Sequence, residues 1–218
     1  MKIILTSHGL TTPIGKKLIG KELLNENLSS KRIFLFHEPH YFIEEMLINA
    51  CLSLGFQRKN ILLSGQQKKE EDISTSDYIY CTEGNTFEIM SLLRERGLVP
   101  LFKKAFKRGA VYIGASAGAM IAGESIEEAK FFDKNFMKMA DFEGLCLFDG
   151  IVMPHLTQTE FEEFLRNNAH LKEKYQRIYS VGDEECIILQ AEEAREDGQK
   201  TTELFLERRT VYENSSRI

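Results

Sequence analysis

Val111-Tyr112-Ile113-Gly114-Ala115-Ser116-Ala117-Gly118-Ala119-Met120-Ile121-Ala122 is the stretch whose reading decides the fold. An apolar, partly β-branched run enters Gly-x-Ser-x-Gly and leaves through small, helix-compatible residues. That is the strand–turn–helix setting of a nucleophile elbow. The turn must be sharp for the serine hydroxyl to project alone. Gly114 and Gly118 remove Cβ atoms where the strand and helix backbones crowd together. A helix that starts after Ser116 aims free N–H groups and its positive end at the serine, which favours a developing anion. The plain alternative is a Gly/Ala-rich turn used for packing or phosphate binding. The strand before and the helix after favour catalysis.

Outward from this elbow, short apolar runs alternate with segments of helical spacing. Strands are predicted over residues 2–6, 32–37, 60–63, 78–81, 110–113, 150–153, 178–181 and 186–190, with a C-terminal pair near 203–206 and 210–212. Several are continuous β-branched and aromatic runs, which suit central parallel strands buried on both faces. Helical spacing marks residues 12–24, 41–54, 86–96, 98–107 and 159–166. Strand–helix alternation over the first 125 or so residues implies an α/β domain with a mostly parallel sheet. The charge-rich stretches 66–72 and 192–200 read as solvated loops or turns. No Pro/Gly/Ser-rich linker divides the chain, so residues 1–218 are expected to form a single domain.

The 218 residues carry a formal charge of −5, with 43% hydrophobic and 28% charged residues. This is ordinary globular usage and excludes a disordered, collagenous or disulfide-scaffold chain. The acidic balance argues against broad nucleic-acid binding. Cys51, Cys81, Cys146 and Cys186 are scattered, with no CxxC spacing. Neither a signal h-region nor a membrane-spanning apolar run occurs. A soluble, cytoplasmic protein with reduced thiols is expected.

A nucleophilic serine needs a base and a group to orient that base. Ile151-Val152-Met153-Pro154-His155 is an apolar strand stopped by proline, which puts His155 at a strand exit. Thr157-x-x-Glu160 then reads as a capping box opening the next helix. His155 is the preferred base, and His8, also just past a strand, is the runner-up. No HxxxH or HExxH spacing occurs, so no zinc site is expected, and no metal or organic cofactor is implied. Between Ser116 and His155 the carboxylates are Glu124, Glu127, Glu128, Asp133, Asp141, Glu143 and Asp149. Residue type and spacing alone leave that choice open.

These segments resemble the dipeptidase E (aspartyl dipeptidase) and cyanophycinase family of serine peptidases. Gly114-Ala115-Ser116-Ala117-Gly118-Ala119 looks like the family's nucleophile motif. Glu83-Gly84-Asn85-Thr86-Phe87 looks like its GGNTF segment, Pro154-His155 like its histidine motif, and Gly182-Asp183-Glu184 fits a common family turn. The likeness covers roughly residues 1–190 in element order. It departs at Glu83, where the family has glycine, and at Met153, where the family often has asparagine.

The resemblance implies a flavodoxin-like three-layer sandwich, similar to class I glutamine amidotransferase domains. It also implies a Ser–His–acid triad with the acid about fifteen to eighteen residues after the serine. That window holds Asp133, with Glu127 and Glu128 as second choices. On this reading the backbone N–H groups of Ala117 and Gly84 form the oxyanion hole, and Asn85 caps the helix that follows Gly84. The expected partner is a small peptide, with no nucleic acid and no membrane; a homodimer is allowed. An aspartyl dipeptidase-like exopeptidase is the leading expectation, and Glu83 could hold a substrate amine. A cyanophycinase-like isopeptidase acting on β-aspartyl linkages and an inactive peptide- or metabolite-binding relative are the alternatives.

Overall fold

A computed structural model describes residues 1–37, 44–64, 70–196 and 199–210. Its strands are β1 (Lys2–Thr6), β2 (Ile33–Phe36), β3 (Ile61–Leu63), β4 (Tyr78–Cys81), β5 (Val111–Ala115), β6 (Ile151–Pro154), β7 (Ile178–Val181), β8 (Glu185–Glu196) and β9 (Gln199–Thr210). The helices are α1 (Pro13–Leu23), α2 (Glu44–Leu54), α3 (Glu70–Ser74), α4 (Thr86–Glu95), α5 (Val99–Lys107), α6 (Ala117–Met120), α7 (Gln158–Asn167) and α8 (Leu171–Lys174). No helix among the described residues is long and apolar enough to cross a membrane.

One seven-stranded sheet runs in the order β3-β2-β4-β5-β1-β8-β9. Its first five strands are mutually parallel, and β8 and β9 add antiparallel at one edge. The parallel part follows the flavodoxin order 2-1-3-4-5, with β2, β3, β4 and β5 as its first four strands. The fifth place is taken by β1, the first strand of the chain. The outermost parallel position is thus reached at once, and β1 lies beside the elbow strand β5. A second sheet is the parallel pair β6–β7.

Parity along the strands divides the core into two layers. Ile3, Leu5, Phe34, Phe36, Ile79 and Cys81 face one side, where they join Phe87 and Met90 of α4 and Phe102 of α5. Ile4, Ile33, Leu35, Tyr78 and Tyr80 face the other, with Ile19 of α1 and Leu47 and Cys51 of α2. Burial on both faces is why these strands read as continuous apolar runs rather than alternating ones. The Phe102 ring meets Phe34 and Phe36 edge-on at 5.8 and 6.3 Å. The expected mostly parallel α/β sandwich is present.

Two readings of charged stretches change. Residues 192–200, taken as loop, lie largely in β8 and β9, which pair continuously from Glu185↔Thr210 to Glu196↔Gln199. Charge marks solvation, and a ribbon at a sheet edge is solvated just as a loop is. The sequence contains Asp197-Gly198, outside the described residues, a dipeptide that on sequence grounds favours a hairpin. The two C-terminal strands expected near 203–206 and 210–212 are accordingly one strand, with 211–212 outside the described residues. Of stretch 66–72, residues 66–69 are also outside, and the remainder opens α3. Helix α2 is described from Glu44, so the expected residues 41–43 lie outside as well.

Candidate active site

Parallel strands end in the same direction, so the residues just beyond their carboxyl ends gather on one rim. Beyond β1 stand Ser7 and His8; beyond β4, Glu83 and Gly84; beyond β5, Ser116; beyond β6, His155; beyond β7, Asp183.

Ser116 has φ 50° and ψ −110°, a conformation unusual for a residue with a side chain. Its surroundings leave no other course. A Cβ at Gly114 would lie 2.4 Å from the Gly118 carbonyl oxygen, and one at Gly118 would lie 2.2 Å from that of Cys81. The strand and helix backbones therefore touch, and the serine between them turns outward. The Ser116 N–H donates to the Thr6 carbonyl at 2.8 Å, and Gly118 N–H to that of Thr82 at 3.2 Å. The buried Tyr112 hydroxyl donates to the Gly118 carbonyl at 2.7 Å. Ala117 holds the first helical position, where the helix itself offers its N–H no acceptor.

His155 reaches this hydroxyl from the small sheet. Its Nε2 lies 3.0 Å from Ser116 Oγ, and its Nδ1 lies 2.7 Å from Asp183 Oδ1. A carboxylate beside Nδ1 favours the tautomer with the proton on that nitrogen, and in that tautomer Nε2 accepts from the serine O–H. The histidine backbone is also left-handed, with φ 62°. It is held by the fully buried Ser7, whose Oγ accepts from the His155 N–H at 2.9 Å and donates to the Val181 carbonyl at 2.7 Å. One hydroxyl thereby ties the ends of β1, β6 and β7 together. Downstream, Thr157 and Glu160 form the expected capping box at the start of α7.

The carboxylate on His155 belongs to Asp183 and not to Asp133. Asp133 Oδ2 accepts from the Thr86 N–H at 2.9 Å and from the Thr86 hydroxyl at 2.6 Å. Asn85 Nδ2 adds a bond to the Lys134 carbonyl at 3.0 Å. Asp133 thus pins its loop to the start of α4. Its sequence position is right for a short connection to Ser116, but the helix terminus takes its charge. The second choices do not reach His155 either. Glu127 and Glu128 pair with Lys174, and the buried Glu128 also accepts from the Tyr175 hydroxyl at 3.2 Å. The hydrogen bond from Lys174 is the chief cause that holds the Glu127 carboxyl below its ordinary range.

The sequence carries a signal for Asp183. It follows an apolar strand, within the quoted Gly182-Asp183-Glu184, at the same strand end as Ser116 and His155. An acid that follows the histidine in sequence is compatible with a triad, because triads occur in several chain orders. The turn that carries Asp183 is closed by Glu185 N–H donating to the Gly182 carbonyl at 3.2 Å, while Glu185 Oε2 accepts from Gly182 N–H, also at 3.2 Å. Arg208 of β9 pairs with Glu185 and donates to the Ser180 carbonyl at 2.8 Å, bracing this turn from the sheet edge.

The remaining sequence candidates fall into place around this line. Asn85 caps α4, its Oδ1 accepting from the N–H groups of Phe87 and Glu88 at 3.1 and 3.2 Å. Gly84, just before it, has φ 148°. Glu83, the departure from a glycine pair, accepts from Gly9 N–H at 2.6 Å and from the Thr11 hydroxyl at 3.4 Å. It links the exits of β4 and β1. His8, the runner-up base, lies with Nε2 3.4 Å from Asp183 Oδ1, and its ring meets that of His155 edge-on at 5.4 Å.

The chain is similar to several known proteins. The chain is 30% identical over 120 residues to an uncharacterised peptidase of Listeria monocytogenes serovar 1/2a, covering 54% of this chain and 58% of that protein. It is 35% identical over 130 residues to one from Pasteurella multocida, covering 58% and 62%. Against Peptidase E of Escherichia coli O1:K1 the identity is 36% over 85 residues, covering 39% and 36%. The matches thus span less than two thirds of each relative's length. In three dimensions, the crystal structure of a Peptidase E candidate from L. monocytogenes EGD-e superposes with a TM-score of 0.66 at 24% identity, over 96% of this chain and 98% of that one. A peptidase from an acI-B1 Actinobacterium gives 0.59 at 17%, over 86% and 82%. Both show a shared fold. A sequence model described as Peptidase family S51 matches residues 36–196, a stretch that contains Ser116, His155 and Asp183 and runs from the last residue of β2 to the last of β8. The chain belongs to peptidase family S51.

Proposed function

We propose that the protein is a serine peptidase in which Ser116, His155 and Asp183 act as nucleophile, general base and orienting acid. The continuous line from Ser116 Oγ through both imidazole nitrogens to Asp183 Oδ1, with contacts of 3.0 and 2.7 Å, carries this reading. Ser116 Oγ attacks the peptide carbonyl as His155 Nε2 takes its proton. His155 then delivers that proton to the leaving amine, and water, activated the same way, releases the acyl group. Asp183 keeps the ring in the tautomer that leaves Nε2 open and stabilises the imidazolium. The Ala117 and Gly84 N–H groups serve the oxyanion; such a donor is worth about 2.7–4 kcal/mol in the transition state.

The substrate class is a small peptide, and an aspartyl dipeptidase-like exopeptidase is the reading that the Peptidase E relatives support. Glu83 is already bound to Gly9 and Thr11, which weighs against its service as the anchor for a substrate amine. The test is fluorophosphonate labelling together with hydrolysis of Asp-X dipeptides. Wild type should label and turn over, and Ser116→Ala should do neither while keeping its fold. Turnover by Ser116→Ala would remove the serine mechanism. Labelling without dipeptide turnover would keep the mechanism and overturn the substrate.

A further inference from the structure

We propose that His8 Nε2, His155 Nδ1 and Asp183 Oδ1 form a site for a divalent zinc-class ion, and that this ion switches the proposed triad off. His8, His155 and Asp183 each offer one ligand atom within 4.8 Å of the other two, and both His8 Nε2 and His155 Nδ1 approach Asp183 Oδ1, at 3.4 and 2.7 Å. They come from the exits of β1, β6 and β7, so each is backed by a strand. Two imidazole nitrogens and one carboxylate oxygen, with a water in the fourth position, are a donor set that Zn2+ accepts. Zinc bonds to such ligands are about 2.0–2.2 Å, which puts neighbouring donors about 3.3 Å apart in a tetrahedron. The His8 Nε2 to Asp183 Oδ1 distance is 3.4 Å. The 2.7 Å contact between His155 Nδ1 and Asp183 would open by about half an ångström. The side chains of His8, His155 and Asp183 are 33%, 37% and 55% exposed, so an ion can enter from solvent.

The consequence for catalysis follows from the imidazole's single proton. In the triad that proton sits on Nδ1 and Nε2 accepts from Ser116. A metal on Nδ1 takes the lone pair there, so the proton moves through solvent to Nε2. His155 stays neutral, Nε2–H now donates to Ser116 Oγ, and no base faces the serine. The Nδ1–H bond and its contact with Asp183 are lost, an Nε2–H bond forms in their place, and the Asp183 oxygen turns to the ion. His8, which has no step in the proposed mechanism, becomes the residue that makes the ion bind.

The ion-binding part stands on geometry alone, and the switching part rests on the proposed serine mechanism, so the test separates them. Calorimetric titration of metal-free protein with Zn2+, and Co2+ absorption as a report of coordination, measure the site without substrate. One Zn2+ should bind wild type and Ser116→Ala alike, at least about tenfold more tightly than His8→Gln and Asp183→Asn. The exposed Cys146 thiol, 3.6 Å from Glu143 Oε1, is the rival soft donor, so Cys146→Ser should bind as wild type does. Undiminished affinity in both His8→Gln and Asp183→Asn, loss in Cys146→Ser, or no saturable binding overturns the site. Bound Zn2+ should slow fluorophosphonate labelling of wild type at least about tenfold and leave His8→Gln unaffected at the same concentration. Unslowed labelling of zinc-loaded wild type overturns the switch. Zinc binding through His8 with no labelling even in its absence supports the site and sinks the serine mechanism.

Discussion

Ser116 and His155 both occupy left-handed backbone and meet at 3.0 Å, yet they are held by different kinds of structure. Ser116 is fixed by a glycine-flanked turn in its own sequence, set directly against the backbone of β1 and β4. Gly114 and Gly118 allow two backbones to touch, and Tyr112 locks the turn from six residues away. His155 is fixed by what is remote. Its N–H is held by Ser7, 148 residues off, and its ring by Asp183, 28 residues on. Holding a residue with a side chain at such angles costs on the order of 1–3 kcal/mol, so each needs an environment that over-determines it. The elbow obtains this from backbone packing around its own two glycines, whereas the histidine obtains it from side-chain bonds that form only once three strands have converged.

The sharpest way to break this contrast is to exchange the roles of two aspartates. Asp183→Asn should leave the fold intact and lower kcat by about 10⁴, the scale of losing the correct tautomer in a serine triad. Asp133→Asn should leave turnover within about tenfold and instead weaken the start of α4. Removing the charge from a carboxylate that accepts two bonds at a helix terminus costs about 1 kcal/mol. Dipeptide kcat and thermal midpoints for both variants decide it. A 10⁴-fold loss in Asp133→Asn with normal Asp183→Asn would reverse the assignment.

The same contrast explains what was legible in the sequence. The elbow was, because Gly-x-Ser-x-Gly after an apolar strand states its own steric reason. The parallel sheet was, because Ile33 to Phe36 and Tyr78 to Cys81 are apolar at every position, as strands buried on both faces must be. His155 was, because proline stops its strand just before it. Asp183 was not singled out, because its partnership depends on β7 lying beside β6, and nothing within either strand states that pairing. Ser7 was invisible for the same reason. A serine after a strand is commonplace, and its value lies in accepting from one distant residue and donating to another. The β8–β9 ribbon was misread because charge reports contact with water, not backbone conformation.

Gly118→Ala probes the elbow side. The added Cβ would meet the Cys81 carbonyl oxygen at 2.2 Å, and that oxygen belongs to a central strand that cannot retreat freely. Overpacking of this kind costs about 1–3 kcal/mol, and a backbone neighbour puts it at the upper end. The expected result is a lower denaturation midpoint together with lost fluorophosphonate labelling. A variant as stable as wild type would show that elbow and sheet are not in hard contact.

Ser7→Ala probes the remote side, with a smaller expected effect. It removes the acceptor of the part-buried His155 N–H and the donor to the buried Val181 carbonyl, a group left buried and unpaired costing about 1–3 kcal/mol. Some of that loss appears as freedom of His155, so kcat should fall about tenfold to a hundredfold with KM little changed, because the hydroxyl faces backbone and not substrate. An unchanged kcat would leave Ser7 as a stabilising residue with no part in positioning His155.

The smallest effect tests whether the two regions can be loosened separately by acid. The α7–α8–β7 side is tied to the 3-10 turn Glu127–Phe131 through Lys174, which bonds Glu127 at 2.6 Å and Glu128 at 3.1 Å. The Lys174 hydrogen bond holds the Glu127 carboxyl below its ordinary value of 4.5. A carboxyl depressed in the folded state adds stability above its unfolded pKa and loses it as pH falls through the folded one. The tie should therefore be complete at neutral pH and weaken progressively below about pH 4.5. Both side chains are over a third exposed, so the change in global stability should be small. Its place is the informative part. Hydrogen exchange at falling pH should quicken in α8 before it quickens in β5, and Lys174→Met should show the faster α8 exchange already at neutral pH. Equal quickening in β5 would mean that elbow and histidine side open as one unit, and the contrast between them would then be one of construction and not of stability.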